Sequence, residues 1–142
     1  MDMRQDLILA PVGALAFLTF LVLLLIPIRR FRAGFAGEVE ADDFKFGESA
    51  RVPGFVSIPN RNYMNLLELP LLFYVLCILE LVSSRVTVGS LALAWTYVAL
   101  RAAHSAIHLT YNNVRHRLTA FAISNVVLIG MWILFYVEHY AS

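Results

Sequence analysis

The chain has 142 residues, 60% of them apolar and 15% charged. Soluble proteins average about 45–50% apolar and about 25% charged residues. Here the excess is gathered into long runs, which excludes a soluble enzyme built on an ordinary core. The length suits one domain, residues 1–142. No basic cluster lies on a soluble face, so nucleic acid is not expected as a partner.

The first run, residues 7–28, carries no charge. At about 1.5 Å per residue it covers the ~30 Å hydrocarbon core of a bilayer. Its leading segment MDMRQD is not basic, the apolar stretch is long, and no small-x-small cleavage site follows, so a retained anchor helix is expected rather than a secretory signal. Pro11 falls near its start and Pro27 at its end, where a missing N–H costs least. Residues 29–60 read as a long loop punctuated by Gly34, Gly37, Gly47, Pro53, Gly54 and Pro59; loops of this length are usually functional or disordered. Arg29-Arg30-Phe31-Arg32 suits an interfacial stop signal, with a ligand contact as the alternative.

The second run, residues 61–83, is apolar from Leu66 to Val82 except for Glu68 and Glu80. It holds the single cysteine, Cys77, which excludes a disulfide within the monomer and offers no metal spacing. The third run, residues 86–109, contains Arg101, His104 and His108. The fourth, residues 118–137, is broken only by small polar groups such as Ser124 and Asn125, and Trp132, Tyr136 and Tyr140 near its end suit an aromatic belt. Four crossings put both termini on one side and loops 29–60 and 109–117 on the other. The latter side carries Arg29, Arg30, Arg32, Lys45, Arg51, Arg61, Arg115 and Arg117, against Arg4 and Arg85 opposite. The positive-inside rule therefore expects the two basic loops in the cytoplasm. The fold expected is an all-α integral membrane four-helix bundle.

A charge near the centre of a membrane helix costs at least ~2.5–3.5 kcal/mol and marks a functional candidate by default. Arg61, Asn65 and Glu68 stand at i, i+4 and i+7, on one helical face. They can bind a zwitterion or pair with one another. Pro70 follows and deprives the carbonyl of residue 66 of its helical donor, so a kink or another donor is expected. Arg101, His104, His108, Tyr111 and Arg115 repeat as an a/d stripe, with Arg117 about two residues off it. Such a stripe cannot face lipid. It lines a wet pocket or forms a structural network between helices. His104 and His108 lack a carboxylate at ligand spacing, so no metal is expected. Ser105 points away from His104, so a Ser–His–acid triad is not assembled.

With RNYMNLLELP on the second run and RAAHSAIHLTYNNVR on the third, the sequence resembles the MAPEG superfamily, the membrane-associated proteins of eicosanoid and glutathione metabolism. The motifs are Arg-x3-Asn-x2-Glu and Arg-x2-His/Tyr-x3-Tyr-x6-Arg; HLTYNNVRHR is most similar to the bacterial branch, which implies an inner-membrane location. The resemblance implies a homotrimer that binds glutathione between subunits near the cytoplasmic face, as co-substrate. An arginine then stabilises the thiolate that attacks a hydrophobic small molecule from the lipid bilayer. By position, Arg61, Asn65 and Glu68 would hold the glutathione peptide, Arg101 and His104 would line the pocket, and Arg115 would stabilise the thiolate, with Arg117 competing for that role. The sequence departs from the pattern in having His108 where tyrosine is expected, with Tyr111 three residues later, and Leu69 after Glu68. Three classes of function follow: glutathione transfer or glutathione-dependent peroxide reduction, a non-catalytic membrane scaffold or binding protein, and a small transporter or proton relay through His104 and His108.

Overall fold

The computed structural model describes residues 4–140, so the first three residues of the leading segment lie outside it. Those described form five α-helices and two 3₁₀ turns, with no β-strand among them. Helix α1 is Leu9–Phe35, α2 Gly54–Leu67, α3 Pro70–Val82, α4 Val88–Leu109 and α5 Val114–Tyr140. Helices α2 and α3 follow each other as one interrupted rod, so the molecule is a four-rod, all-helical bundle.

Contacts at the two ends fix the topology. At one end the Gln5 side chain exchanges hydrogen bonds with the Val86 backbone, and Arg85 donates to the carbonyl of Glu138 at 2.6 Å. At the other, Arg29 donates to the carbonyls of Phe55 at 2.9 Å and Leu109 at 3.3 Å. Chain start, α3–α4 turn and chain end thus meet at one end, while the ends of α1 and α4 and the start of α2 meet at the other. The rods run up, down, up and down.

Among the described residues, three segments are long and apolar enough to cross a membrane: Gln5–Phe35, Gly54–Val82 and Val114–Tyr140. Helix α4 is the polar rod. Its 22 residues span roughly 33 Å at the α-helical rise. Its polar side chains turn inward: Tyr97, Arg101, His104, Ser105 and His108 are all buried. The outer surface carries Phe17, Phe20, Leu24, Val126, Ile129 and Ile133, all more than half exposed. That inversion, apolar outside and polar within, is what a lipid solvent demands.

Several boundaries differ from the sequence reading. Helix α1 runs past residue 28 through the arginine cluster and places Pro27 inside the helix. It ends where Gly37 takes φ +72°, with Glu38 N–H on the Ala33 carbonyl and Gly37 N–H on Gly34. This is a Schellman stop, which glycine enters without a Cβ penalty. The expected loop 29–60 therefore shrinks to residues 36–53, because Arg29–Phe35 and Gly54–Asn60 are helical. The interval 109–117 shrinks similarly to a turn at 110–113. Asn113 Oδ1 accepts from the amides of Arg115 and His116 at 3.0 and 3.2 Å and so starts α5 earlier than its apolar run suggests.

The remaining loop is ordered by Asp43. Its carboxylate accepts from Glu40 N–H at 2.9 Å and from Ser49 Oγ at 2.7 Å. These bonds, led by the backbone one, hold its pKa below the ordinary 3.8. A depressed carboxylate pKa contributes stability above the unfolded value, which is lost as pH falls through the folded value. Hydrogen-exchange protection in residues 40–49, taken relative to the intrinsic rate at each pH, should therefore be high at neutral pH and fall below about pH 4. Asp43→Asn, which keeps one acceptor and cannot titrate, should show reduced protection with no acid-dependent fall; wild-type protection with the same pH dependence in that variant would contradict this role.

Candidate functional site

The site grows from the interruption between α2 and α3. Pro70 has no N–H and occupies the first turn of α3. Glu68 leaves helical geometry, with ψ −99°. The last backbone bond of α2 runs from Glu68 N–H to the Met64 carbonyl at 3.1 Å. One residue on, the Asn65 carbonyl accepts from Arg101 Nη2 at 2.6 Å. Arg101 is wholly buried. Its guanidinium lies 5.5 Å from the Phe121 ring centroid, and Glu68 lies within electrostatic range. A buried cation thus sits at the negative end of a helix, where unpaired carbonyls point.

Toward the end where α1, α2 and α4 meet, a cavity of about 310 Å³ opens between α2, α4 and α5, lined by Arg61, Asn65, His104, His108, Val114, Arg117, Leu118 and Phe121. The imidazoles of His104 and His108 pack edge to face at 5.8 Å. Each has Nδ1 buried without a hydrogen-bond partner. Two guanidinium groups face the cavity and no carboxylate lines it, so its field is positive and suits an anion. Among the described residues, no group of three His, Cys, Asp or Glu side chains is placed to hold a metal ion.

The sequence-derived candidates separate. Arg61, Asn65, His104, His108 and Arg117 come together in this cavity. Arg101 lies beneath it, committed to the Asn65 backbone. Glu68, Tyr111 and Arg115 are exposed and outside its lining. The five-residue stripe assumed α4 to continue through residue 115. Instead the helix stops at Leu109, Thr110 turns away with ψ −99°, and Asn112 has φ +46°. Tyr111 then meets His116, its hydroxyl 3.1 Å from Nδ1. The reversal sends Arg115 outward and Arg117 inward, where it donates to Asn112 Oδ1 at 2.7 Å.

Two contributors escaped the sequence reading. Phe121 is an apolar wall that also packs against His104, with centroids 5.8 Å apart. Asn62, wholly buried, accepts from Ser105 Oγ at 3.2 Å. The position of Ser105, off the histidine face, hinted at such a partner. Asn62 stands one residue from Arg61 in the first motif but on the other face of α2.

These observations define a class: a multi-pass α-helical membrane protein with an electropositive pocket at one end of its bundle. The MAPEG family model matches residues 8–137, most of the chain. The chain belongs to the MAPEG family. No curated protein and no solved structure matches it.

Ser105→Ala would leave Asn62 Oδ1 buried and unpaired, a loss of about 1–3 kcal/mol. Thermal unfolding in detergent should show a lowered midpoint. An unchanged midpoint would mean that the Asn62–Ser105 bond does not hold α2 to α4.

Proposed function

We propose that this chain is a membrane-bound glutathione-dependent transferase or peroxidase acting on lipophilic electrophiles. The carrying observation is the cavity of Arg61, Asn65, His104, His108 and Arg117 with no carboxylate in its lining, in a chain of the MAPEG family. Glutathione brings two carboxylates and, once ionised, a thiolate. A free thiol has a pKa near 8.5, so little thiolate exists at neutral pH without a neighbouring cation. Of Arg115 and Arg117, the latter faces the cavity and is assigned the thiolate; arginine keeps its charge in such a place. Arg61 and Asn65 hold the peptide. Low dielectric at the membrane boundary strengthens these pairings.

Tyr111 and Arg115 are exposed near the same end of the bundle, and Glu68 is exposed at the α2–α3 break. In a homotrimer they would be available to a neighbouring subunit and to ligand held between subunits. The lipophilic substrate would arrive through the bilayer that bathes the outer apolar surface. The positive-inside rule supports a cytoplasmic location for the pocket end, since the basic loops lie there; in a bacterial cell the membrane would be the inner one. A scaffold reading draws on the Arg101–Asn65 and Asn62–Ser105 bonds, which tie α4 to α2 through the Asn65 backbone and through a buried side-chain pair outside the cavity lining. That reading predicts that Arg61→Ala and Glu68→Ala disturb assembly rather than ligand response.

The protein in detergent should be thermally stabilised by millimolar glutathione, by about 2.7 kcal/mol at one hundred times Kd. Bound glutathione should show thiolate absorbance that Arg117→Ala abolishes and Arg115→Ala retains. No stabilisation at millimolar glutathione would end the proposal. Equal loss in both variants would end the assignment of Arg117.

A further inference from the structure

We infer that Arg101 is a positioning residue. By capping the broken end of α2 inside the membrane, it sets the placement of Arg61 and Asn65 and hence the affinity for the anionic thiol, without touching that ligand. The inference rests on the glutathione reading of the pocket.

In a continuous helix the Leu69 amide would bond the Asn65 carbonyl and the residue 70 amide would bond that of Leu66. Proline removes the second donor. At Glu68 the chain departs from helical geometry, and α3 starts again with Leu71 N–H on the Glu68 carbonyl and Leu72 N–H on Leu69. Carbonyls freed in a bilayer have no water to turn to. The Asn65 oxygen instead takes a charge-assisted bond of 2.6 Å from Arg101 Nη2. The bond joins the interior of α4 to the residue of α2 whose own side chain lines the cavity. Arg61 is tied to the same turn, because Asn65 Nδ2 donates to the Arg61 carbonyl at 3.0 Å. Arg101 is absent from the cavity lining and is wholly buried. Its reach to the ligand therefore runs through the α2 backbone.

The arrangement makes Pro70 and Arg101 halves of one device: proline opens the helix and arginine occupies the opening. Pro70→Ala gives residue 70 an N–H for the Leu66 carbonyl and lets Leu69 reclaim Asn65. That would displace Arg101 from its acceptor while leaving every pocket side chain in the sequence.

The test uses the full chain in detergent or lipid nanodiscs, with glutathione as probe. Calorimetry reads Kd, and the pH midpoint of thiolate absorbance reads the environment of the sulfur. Arg101→Met is expected to weaken binding about 10- to 100-fold, the scale of misplacing a site from beneath, and to leave the thiolate midpoint where the wild type has it. Arg101→Lys, which can still donate to a carbonyl, should recover part of the affinity. Pro70→Ala should weaken binding with Arg101 intact, and the double variant should be no worse than the worse single one, because both break the same contact. Should Arg101→Met fail to assemble, Arg101→Lys and Pro70→Ala carry the test. A shifted thiolate midpoint in the Arg101 variants would overturn the inference, since it would put the guanidinium at the sulfur. So would unchanged affinity in Pro70→Ala. A wild type that shows no glutathione response overturns the ligand reading itself and this inference with it, whereas a responding wild type isolates the role of Arg101.

Discussion

A guanidinium buried inside a membrane bundle must find its counter-charge within the protein, and this requirement organises the molecule. Arg101 lies roughly 12 Å along α4 from its end, with no exposed surface. No ion pair to it forms among the described residues; the partner found is a helix terminus, through the Asn65 carbonyl. A helix end inside a bilayer is itself costly, because its carbonyls cannot be hydrated. Through Nη2 each problem answers the other, while Nε and Nη1 stay buried without a hydrogen-bond partner. The interruption at Glu68 and Pro70 is the acceptor that lets α4 carry an arginine, and the arginine is the donor that lets the rod be interrupted.

The polarity of α4 follows from this arrangement. Once its inner face holds Arg101, the same face can extend toward the basic end as His104 and His108, shielded from lipid by α1, α2 and α5. Phe121 of α5 closes over both Arg101 and His104. The cavity begins where this shielding ends, and its charge comes from Arg61 on one side and Arg117 on the other. The framework is packed and hydrogen-bonded, while the functional groups stand at its open rim. Sites built on helices in this way hold their geometry better than sites on loops.

How much of this was legible in the residues can be argued from particular positions. The stripe of Arg61 and Asn65 was readable because both lie within one unbroken helix, where spacing alone sets direction. The pairing of His104 with His108 was readable for the same reason. Arg115 and Arg117 were not separated, because the a/d spacing was carried straight across Thr110 to Asn113, although Asn112-Asn113 is itself a helix-stop and N-cap signal. The arginine cluster at 29–32 likewise reads as a membrane boundary by charge. Helical hydrogen bonding carries α1 through it to Gly37 all the same, and Arg29 then ties that end to α2 and α4.

By itself the sequence determined the solvent of the fold, the all-helical bundle and its polar interior. Those follow from apolar length and from the cost of placing charge in hydrocarbon, which are local properties of a run of residues. Only the tertiary structure decided which arginine enters the cavity, that Glu68 and Tyr111 stay outside its lining, and that Arg101 serves the backbone beneath it. These depend on where each helix breaks and on what fills the break, and a freed carbonyl on one rod is satisfied by a residue 36 positions away on another. No spacing within either segment encodes that contact.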